Sequence, residues 1–119
     1  MNSFISSLWD WKILDGCFGN TKIAVSDIDG VVERNGYTLF LETKRPGVPV
    51  PLGQHIMFDR WRKTGFATVI IIFGQADNPQ AMQIYAKDRI HPKRPADVDD
   101  LRQAVTSWFE YADAQPKLI

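Results

Sequence analysis

The sequence predicts a single α/β domain in which helices flank a mixed central β-sheet. Three observations predict it. An Asn35-Gly36 pair separates two segments of strand composition, residues 67–73 form an apolar run rich in β-branched residues, and residues 97–112 carry apolar residues at helical spacing. Elements that alternate between strand and helix pack as helices on a sheet. The 119 residues have the length of one domain, so residues 1–119 are expected to share one core.

The first predicted elements are a short helix and a β-hairpin. The apolar and aromatic residues 4–11 predict the helix, and a glycine-containing loop follows it. The pair Asn35-Gly36 is a strong hairpin signal, because both central residues of a type I′ turn need a positive φ. Residues 23–33 and 38–44 are therefore predicted to be the two strands that this turn connects.

The second half of the chain is predicted to alternate between helices and strands. Three prolines and a glycine make residues 45–51 a loop, and helical spacing over residues 52–64, ended by Gly65, predicts a helix. The run at 67–73 is predicted to be a buried strand. The remaining predicted elements are a loop at 74–79, a strand at 82–87, a linker bounded by Pro92 and Pro95, and a helix at 97–112 that turns Val98, Leu101, Val105, Trp108 and Phe109 inward.

Composition restricts the class of protein. The chain carries 14 basic and 14 acidic residues, which argues weakly against a passive nucleic-acid binder but not against an enzyme that uses carboxylates. No apolar stretch approaches the roughly 18 residues of a membrane span, so no membrane partner is expected. Cys17 is the only cysteine, which excludes an intrachain disulfide and favours a cytoplasmic location. Two groups of basic side chains are candidates for phosphate contact: Arg45, Arg60, Arg62 and Lys63, and Lys87, Arg89, Lys93 and Arg94.

The predicted hairpin brings four polar side chains to one face of the sheet. Counting back from a two-residue turn, Asp29 faces Glu42 and Asp27 faces Lys44. Alternate residues of a strand share a face, so these four side chains are expected to form one polar cluster. Ile28 is expected to point to the opposite face. A register slip of one residue would separate the cluster.

The polar cluster has the composition of a site that hydrolyses a phosphodiester. Carboxylates directly opposite each other repel unless a cation intervenes, and Mg²⁺ or Mn²⁺ accepts such oxygen ligands. A bound divalent ion lowers the pKa of a water molecule and polarises the phosphorus centre. Lys44 is placed to orient the attacking water or to stabilise charge on the phosphoryl oxygens. We expect Asp29 and Glu42 to be metal ligands, with Asp27 as a further or alternative ligand.

The stretch SDIDGVVERNGYTLFLETK resembles the signature hairpin of the PD-(D/E)xK nucleases. In that family an aspartate on one strand is followed by Glu-x-Lys on the next, and here Asp29 precedes Glu42-Thr43-Lys44 by 13 positions. The resemblance covers residues 22–73 and is greatest to the compact Holliday-junction-resolvase-like and VRR-NUC branches, which are common in phages and prophages. Those branches place a glutamine on the following helix, where this chain has Gln54.

The resemblance implies a restriction-endonuclease-like core and a Mg²⁺- or Mn²⁺-dependent endonuclease that acts on DNA. It implies that Asp29 and Glu42 bind the metal, that the Thr43 carbonyl can join them, and that Gln54 orients water or Lys44. A homodimer is implied as well, because two active sites let a small protein cut both strands.

Two features depart from the family pattern. The usual Pro-Asp pair is Ser-Asp here, so either Asp27 or Asp29 can be the family aspartate, and Asp29 is favoured because it faces Glu42. Many members add an acidic residue from the first helix. Asp10 and Asp15 are the candidates for that role in this chain.

Two other functions stay open at this point. Asp27-Ile28-Asp29-Gly30-Val31 resembles the first motif of the haloacid-dehalogenase phosphatases, which place Asp-x-Asp-Gly after an apolar strand. The later motifs of that family do not follow, because the strand at 67–73 ends in glycine and the Asp99-Asp100 pair is expected to begin a helix. The other alternative is a catalytically silent DNA-binding module that retains the hairpin.

Overall fold

A β-hairpin closed by Asn35 and Gly36 begins a five-stranded sheet in the computed structural model, which describes residues 9–117. The elements follow in the order β1 (Gly30–Arg34), β2 (Tyr37–Lys44), α1 (Leu52–Lys63), β3 (Ala67–Gln75), β4 (Asn78–Tyr85), β5 (Arg94–Pro95) and α2 (Val98–Asp113). A short 3₁₀ helix, Lys12–Leu14, precedes them. The sheet carries its strands in chain order, from β1 to β5.

The predicted hairpin turn is confirmed. Asn35 and Gly36 have φ values of 52° and 88°, as a type I′ turn requires. Arg34 pairs with Tyr37, and the ladder continues to Gly30 opposite Leu41. The two-residue loop and its register therefore match the prediction as far as this last pair.

The sheet is mixed, because its strand pairs differ in direction. β1 pairs with β2, β3 with β4, and β4 with β5 in antiparallel fashion, whereas β2 and β3 run parallel. Parallel neighbours need a crossover, and α1 supplies it between β2 and β3. The helix ends at Lys63, and Gly65 follows with a φ of 85°, which agrees with the predicted glycine stop.

The two helices cover opposite faces of the sheet. On one face Phe58 of α1 packs with Val69, Ile71, Phe73 and Tyr85, and all five side chains are buried. On the other face the buried residues are Leu39, Ile70, Met82, Ala96, Trp108 and Ala112, the last two from α2. These two apolar layers make one α/β domain with helices flanking a mixed sheet, as the sequence predicts. Within residues 9–117 no helix is long and apolar enough to cross a membrane.

The first strand is shorter than predicted. Residues 22–28 are irregular, and β1 begins only at Gly30. The next position on the free edge of β2 is Thr43, and its backbone N–H donates to the side-chain Oδ2 of Asp29 at 2.8 Å. A side chain thus takes the place of a ladder bond, and the pairing stops. Ile28 consequently packs on the α1 face, not on the opposite face as predicted.

Two further elements correct the prediction, and a third lies mostly outside the described residues. The expected loop at 74–79 is a tight hairpin, in which β3 runs to Gln75 and β4 begins at Asn78 after a turn with Asp77 at a φ of 58°. The proline-bounded linker contains β5, which pairs with β4. The expected helix at 4–11 lies mostly outside the described residues, and its described part, residues 9–11, is not helical.

The inward face of α2 differs from the prediction at two positions. Asp97 and Asp100 form a capping box that begins the helix, and the inward stripe then runs through Leu101, Ala104, Val105, Trp108 and Ala112. Val98, in the first turn, is exposed, and so is Phe109. At about 100° per residue Val98 and Phe109 lie only about 20° apart, so the inward stripe is displaced from their edge of the helix toward Ala104.

Candidate active site

The end of β1 leaves a short open edge on β2, and three predicted site residues meet there. Asp29 directly precedes β1, Glu42 lies near the end of β2, and Gln54 lies in the first turn of α1. Asp29 and Glu42, the carboxylate pair, are within hydrogen-bonding reach of each other. Gln54 donates from Nε2 to Oε2 of Glu42 at 2.8 Å.

Asp29 is held by its contacts with Glu42 and Thr43. Its Oδ2 accepts from the backbone N–H and from the hydroxyl of Thr43, both at 2.8 Å. The Glu42 carboxyl beside it and these two Thr43 bonds lower the pKa of Asp29, although partial burial opposes them. Hydrogen bonds to a carboxylate favour its charged form, so Asp29 is the charged member of the pair.

Glu42 is the buried member of the carboxylate pair. Only 4% of its surface is exposed. Burial and the adjacent Asp29 raise the pKa of Glu42 to about 7, against the smaller opposing effects of Lys44 and Gln54. Without a cation, a protonated Glu42 donates to the Asp29 carboxylate, and the pair carries one negative charge near neutral pH.

Lys44 lies beside the pair on the same face of β2 as Glu42, because alternate strand residues share a face. Its side chain is half-buried. Its positive charge lowers the pKa of both Asp29 and Glu42. The lysine is therefore electrostatically coupled to the carboxylate pair, in the position that the Glu-x-Lys pattern predicts.

Gln54 has a second polar atom with no partner. Its Oε1 is buried and has no hydrogen bond within the described part of the chain. Such an atom costs free energy unless a donor or a cation reaches it. The amide therefore bridges to Glu42 on one side and presents an unsatisfied oxygen on the other.

Asp27 does not join this cluster. The predicted pairing with Lys44 is absent because the ladder ends at Gly30. Asp27 instead accepts from the indole Nε1 of Trp11 at 2.9 Å, an interaction that was not predicted and for which the sequence carries no signal. Asp10 accepts from the backbone N–H of Lys12. Across residues 9–117 no three His, Cys, Asp or Glu side chains group closely enough to hold a metal ion.

The donor set at the open edge nevertheless suits a hard divalent cation. Two carboxyl groups in contact provide anionic oxygens, and the unpartnered Oε1 of Gln54 provides a neutral one. The N–H and C=O of one strand residue point toward the same side. Since the Thr43 N–H points at Asp29, its carbonyl faces the same open edge. Mg²⁺ commonly uses one or two carboxylates and keeps several waters, so two acidic ligands suffice.

The local backbone does not match the setting of the phosphatase motif. That motif needs an apolar strand before its first aspartate, whereas residues 22–28 are irregular and β1 begins inside the motif at Gly30. Asp27 and Asp29 also have separate partners, Trp11 and Thr43. The geometry thus groups Asp29 with Glu42 and leaves Asp27 apart from both.

Comparison with known proteins yields no match. No protein-family model, curated protein or solved structure corresponds to this chain. Any functional conclusion therefore depends on the chemistry of the carboxylate pair and its neighbours.

Proposed function

We propose that this protein is a metal-dependent endonuclease that hydrolyses phosphodiester bonds in DNA. The observation that carries the proposal is the carboxylate pair, in which the buried Glu42 contacts the exposed Asp29 and has a pKa raised to about 7. A buried carboxyl group in contact with a second carboxylate destabilises a fold unless a proton or a cation lies between them. A protein that keeps such a pair beside a lysine has the parts that phosphoryl chemistry requires.

Each residue has a separate task in this proposal. Asp29 and Glu42 would hold Mg²⁺ or Mn²⁺, with the Thr43 carbonyl as a third ligand, and the bound ion would lower the pKa of a water molecule and offset phosphate charge. Lys44 would orient the attacking water or stabilise negative charge on the phosphoryl oxygens. Gln54 holds Glu42 through its Nε2 and leaves Oε1 to orient water or the Lys44 ammonium.

The deciding experiment is a cleavage assay with a panel of DNA structures. Linear, nicked, flapped and four-way DNA are incubated with Mg²⁺ or Mn²⁺, and EDTA is the chelator control. Wild-type protein is expected to cut at least one substrate. Lys44→Ala should lower the rate by a factor of about 10² or more, the loss typical of an electrostatic catalytic group. Lys117→Ala, an exposed lysine outside the site, is the matched control and should cut normally.

A folded wild-type protein that cuts none of these substrates would contradict the proposal. Retained DNA binding would then favour the silent binding module. Turnover of small phosphomonoesters, lost in Asp27→Asn, would favour the phosphatase.

Metal binding is a second prediction and separates the two candidate aspartates. Asp29→Asn removes an anionic oxygen from the carboxylate pair, so titration calorimetry with Mn²⁺ should show affinity at least about tenfold weaker. Asp27→Asn should leave the affinity unchanged, because Asp27 bonds to Trp11 outside the pair. Equal losses in both variants would mean that Asp27 is a ligand after all.

The homodimer that the family resemblance implies remains part of the proposal. Sedimentation velocity measures it directly. A mass of about twice the 13.6 kDa of the chain supports two active sites per particle, and a monomer would require two separate encounters to cut both strands.

A further inference from the structure

A cavity of about 500 Å³ lies on the α1 side of the sheet, outside the group of residues assigned above. The loop from β2 to α1 forms one wall with Val48, Pro49 and Val50, and Leu52 of α1 continues it. Cavities of this size bind small organic groups when apolar walls surround a few placed polar atoms. Val48, Pro49, Val50 and Leu52 provide the apolar walls.

The strand register places this cavity next to the carboxylate pair. Glu42 pairs with Ile71, which in turn pairs with Gln83 on the cavity floor. Partners across a sheet point to the same face, and two strand spacings amount to about 10 Å. Lys44 has Phe73, another floor residue, as its partner one strand away. A nucleotide chain crossing the site can reach the cavity with a neighbouring residue.

His55 provides a polar ring to the cavity wall. Its Nδ1 is 2.8 Å from the hydroxyl of Tyr85, which is buried. This contact holds the imidazole in one orientation. The second ring nitrogen, Nε2, is a polar atom that can form a hydrogen bond with a ligand.

The other polar groups of the cavity suit a ligand with an anionic part. Lys93 places its ammonium 3.8 Å from the centre of the Phe73 ring, and none of the cavity residues is acidic. Gln83 donates from Nε2 to the His91 carbonyl at 3.2 Å, which orients its amide beside the floor. Apolar walls, an imidazole in a fixed orientation, an amide and one cation match a nucleobase with its phosphate.

We propose that this cavity binds one unpaired nucleobase of the DNA strand at the carboxylate pair, while Lys93 contacts that nucleotide's phosphate. The inference rests on the proposed nuclease function and specifies its substrate. A base in the cavity is neither stacked nor paired, so the substrate has unpaired nucleotides next to the cut, as in a single strand or a flap. Intact duplex must first release a base, which costs free energy.

The test compares two ten-residue probes by fluorescence anisotropy in Ca²⁺, with a gel to confirm that the probes stay intact. One is oligothymidine and the other is an abasic deoxyribose-phosphate chain of equal length and charge. Wild type should bind oligothymidine about tenfold more tightly than the abasic chain, because base contacts add to phosphate contacts.

Filling the cavity should abolish this base preference. Val48 is 40% exposed on the wall, so Val48→Trp fills the space without disturbing the core, and Leu52→Trp does the same from the helix side. Both variants should bind the two probes equally, with affinity for the abasic chain unchanged. Val98→Trp changes a valine that is 49% exposed on α2 and should keep the tenfold preference. Thermal melts show which variants are folded.

A folded Val48→Trp or Leu52→Trp that keeps the wild-type preference would overturn the inference, as would a wild type with no preference. The nuclease proposal fails separately, through absence of metal-dependent cutting on the DNA panel. Cutting without a cavity-dependent preference refutes only the base site. A cavity-dependent preference without cutting supports the base site and refutes the nuclease.

Discussion

At the residue scale, burial and a neighbouring carboxylate change the protonation of Glu42. An exposed glutamate would be fully charged at neutral pH. Here burial and the adjacent Asp29 favour the protonated form, while Lys44 and Gln54 favour the charged form. Without metal, the Glu42 carboxyl is therefore partly protonated near neutral pH.

This balance predicts how stability depends on pH in EDTA. Because the pKa of Glu42 is about 7 in the folded protein, against 4.5 for an unperturbed glutamate, the folded state binds more protons between these values. Stability from this group is fully present below about pH 4.5 and is lost as pH rises through about 7. Urea unfolding should show the wild-type free energy of unfolding falling over this interval relative to Glu42→Gln.

The comparison variant mimics the protonated acid and does not titrate. Its amide can donate to Asp29 and accept from Gln54. Glu110→Gln, at an exposed position of α2, should keep the wild-type pH dependence. A constant difference between wild type and Glu42→Gln from pH 4.5 to 8 would show that Glu42 titrates normally.

At the scale of elements, the β3–β4 hairpin depends on a glycine at an irregular point in the ladder. The register between β3 and β4 shifts between Phe73 and Gly74. A Cβ built on Gly74 would overlap the carbonyl oxygen of Asn78. Backbone atoms cannot move aside as the end of a flexible side chain can, so the hairpin requires a residue without a side chain.

Gly74→Ala should therefore destabilise the protein by about 1–3 kcal/mol, the usual cost of inserting a methyl group into packed space. Urea unfolding measures the change. Gly53→Ala is the matched control, because nothing lies within 4 Å of its added Cβ and alanine has a higher helix propensity than glycine. That variant should gain about 0.5–1 kcal/mol. Equal stabilities for the two variants would show that the hairpin adjusts freely.

At the scale of the whole molecule, the hairpin turn connects the first and last elements. The side chain of Asn35 donates from Nδ2 to carbonyl oxygens at the end of α2, those of Ala112, Asp113 and Gln115, at 3.1–3.4 Å. Arg34 also pairs with Asp113 at 2.6 Å. The residue that closes the hairpin thus also connects it to the C-terminal end of α2 by hydrogen bonds.

Two substitutions of Asn35 separate these roles. Asn35→Gly keeps the positive φ but loses the side-chain bonds, so it should cost about 1 kcal/mol. Asn35→Ala loses the bonds and also places a side chain in the left-handed region, which should cost roughly a further 1–2 kcal/mol. Urea unfolding measures both. If Asn35→Gly were as stable as wild type, the contact with α2 would contribute nothing to stability.

The sequence by itself determined the hairpin, α1, β3, α2 and the fold class, because each carries a local signal. Asn35-Gly36 demands a turn with positive φ, and Gly65 ends a helix with a residue that tolerates the left-handed region. The approach of Asp29 to Glu42 was also predictable from the hairpin register, and the placement of Gln54 was predicted from the family resemblance. Local sequence signals were sufficient to predict the structure wherever a single turn, helix or strand sets the geometry.

Only the tertiary structure decided which partner Asp27 binds, where β1 begins and that a cavity forms beside the site. Strand periodicity places Asp27 opposite Lys44, but the ladder ends when the Asp29 side chain takes the Thr43 N–H. The cavity joins residues from the β2–α1 loop, α1, β3 and β4 with Lys93, which no local pattern links. Such features arise from competition between distant groups for the same partners and space, and that competition exists only after the chain has folded.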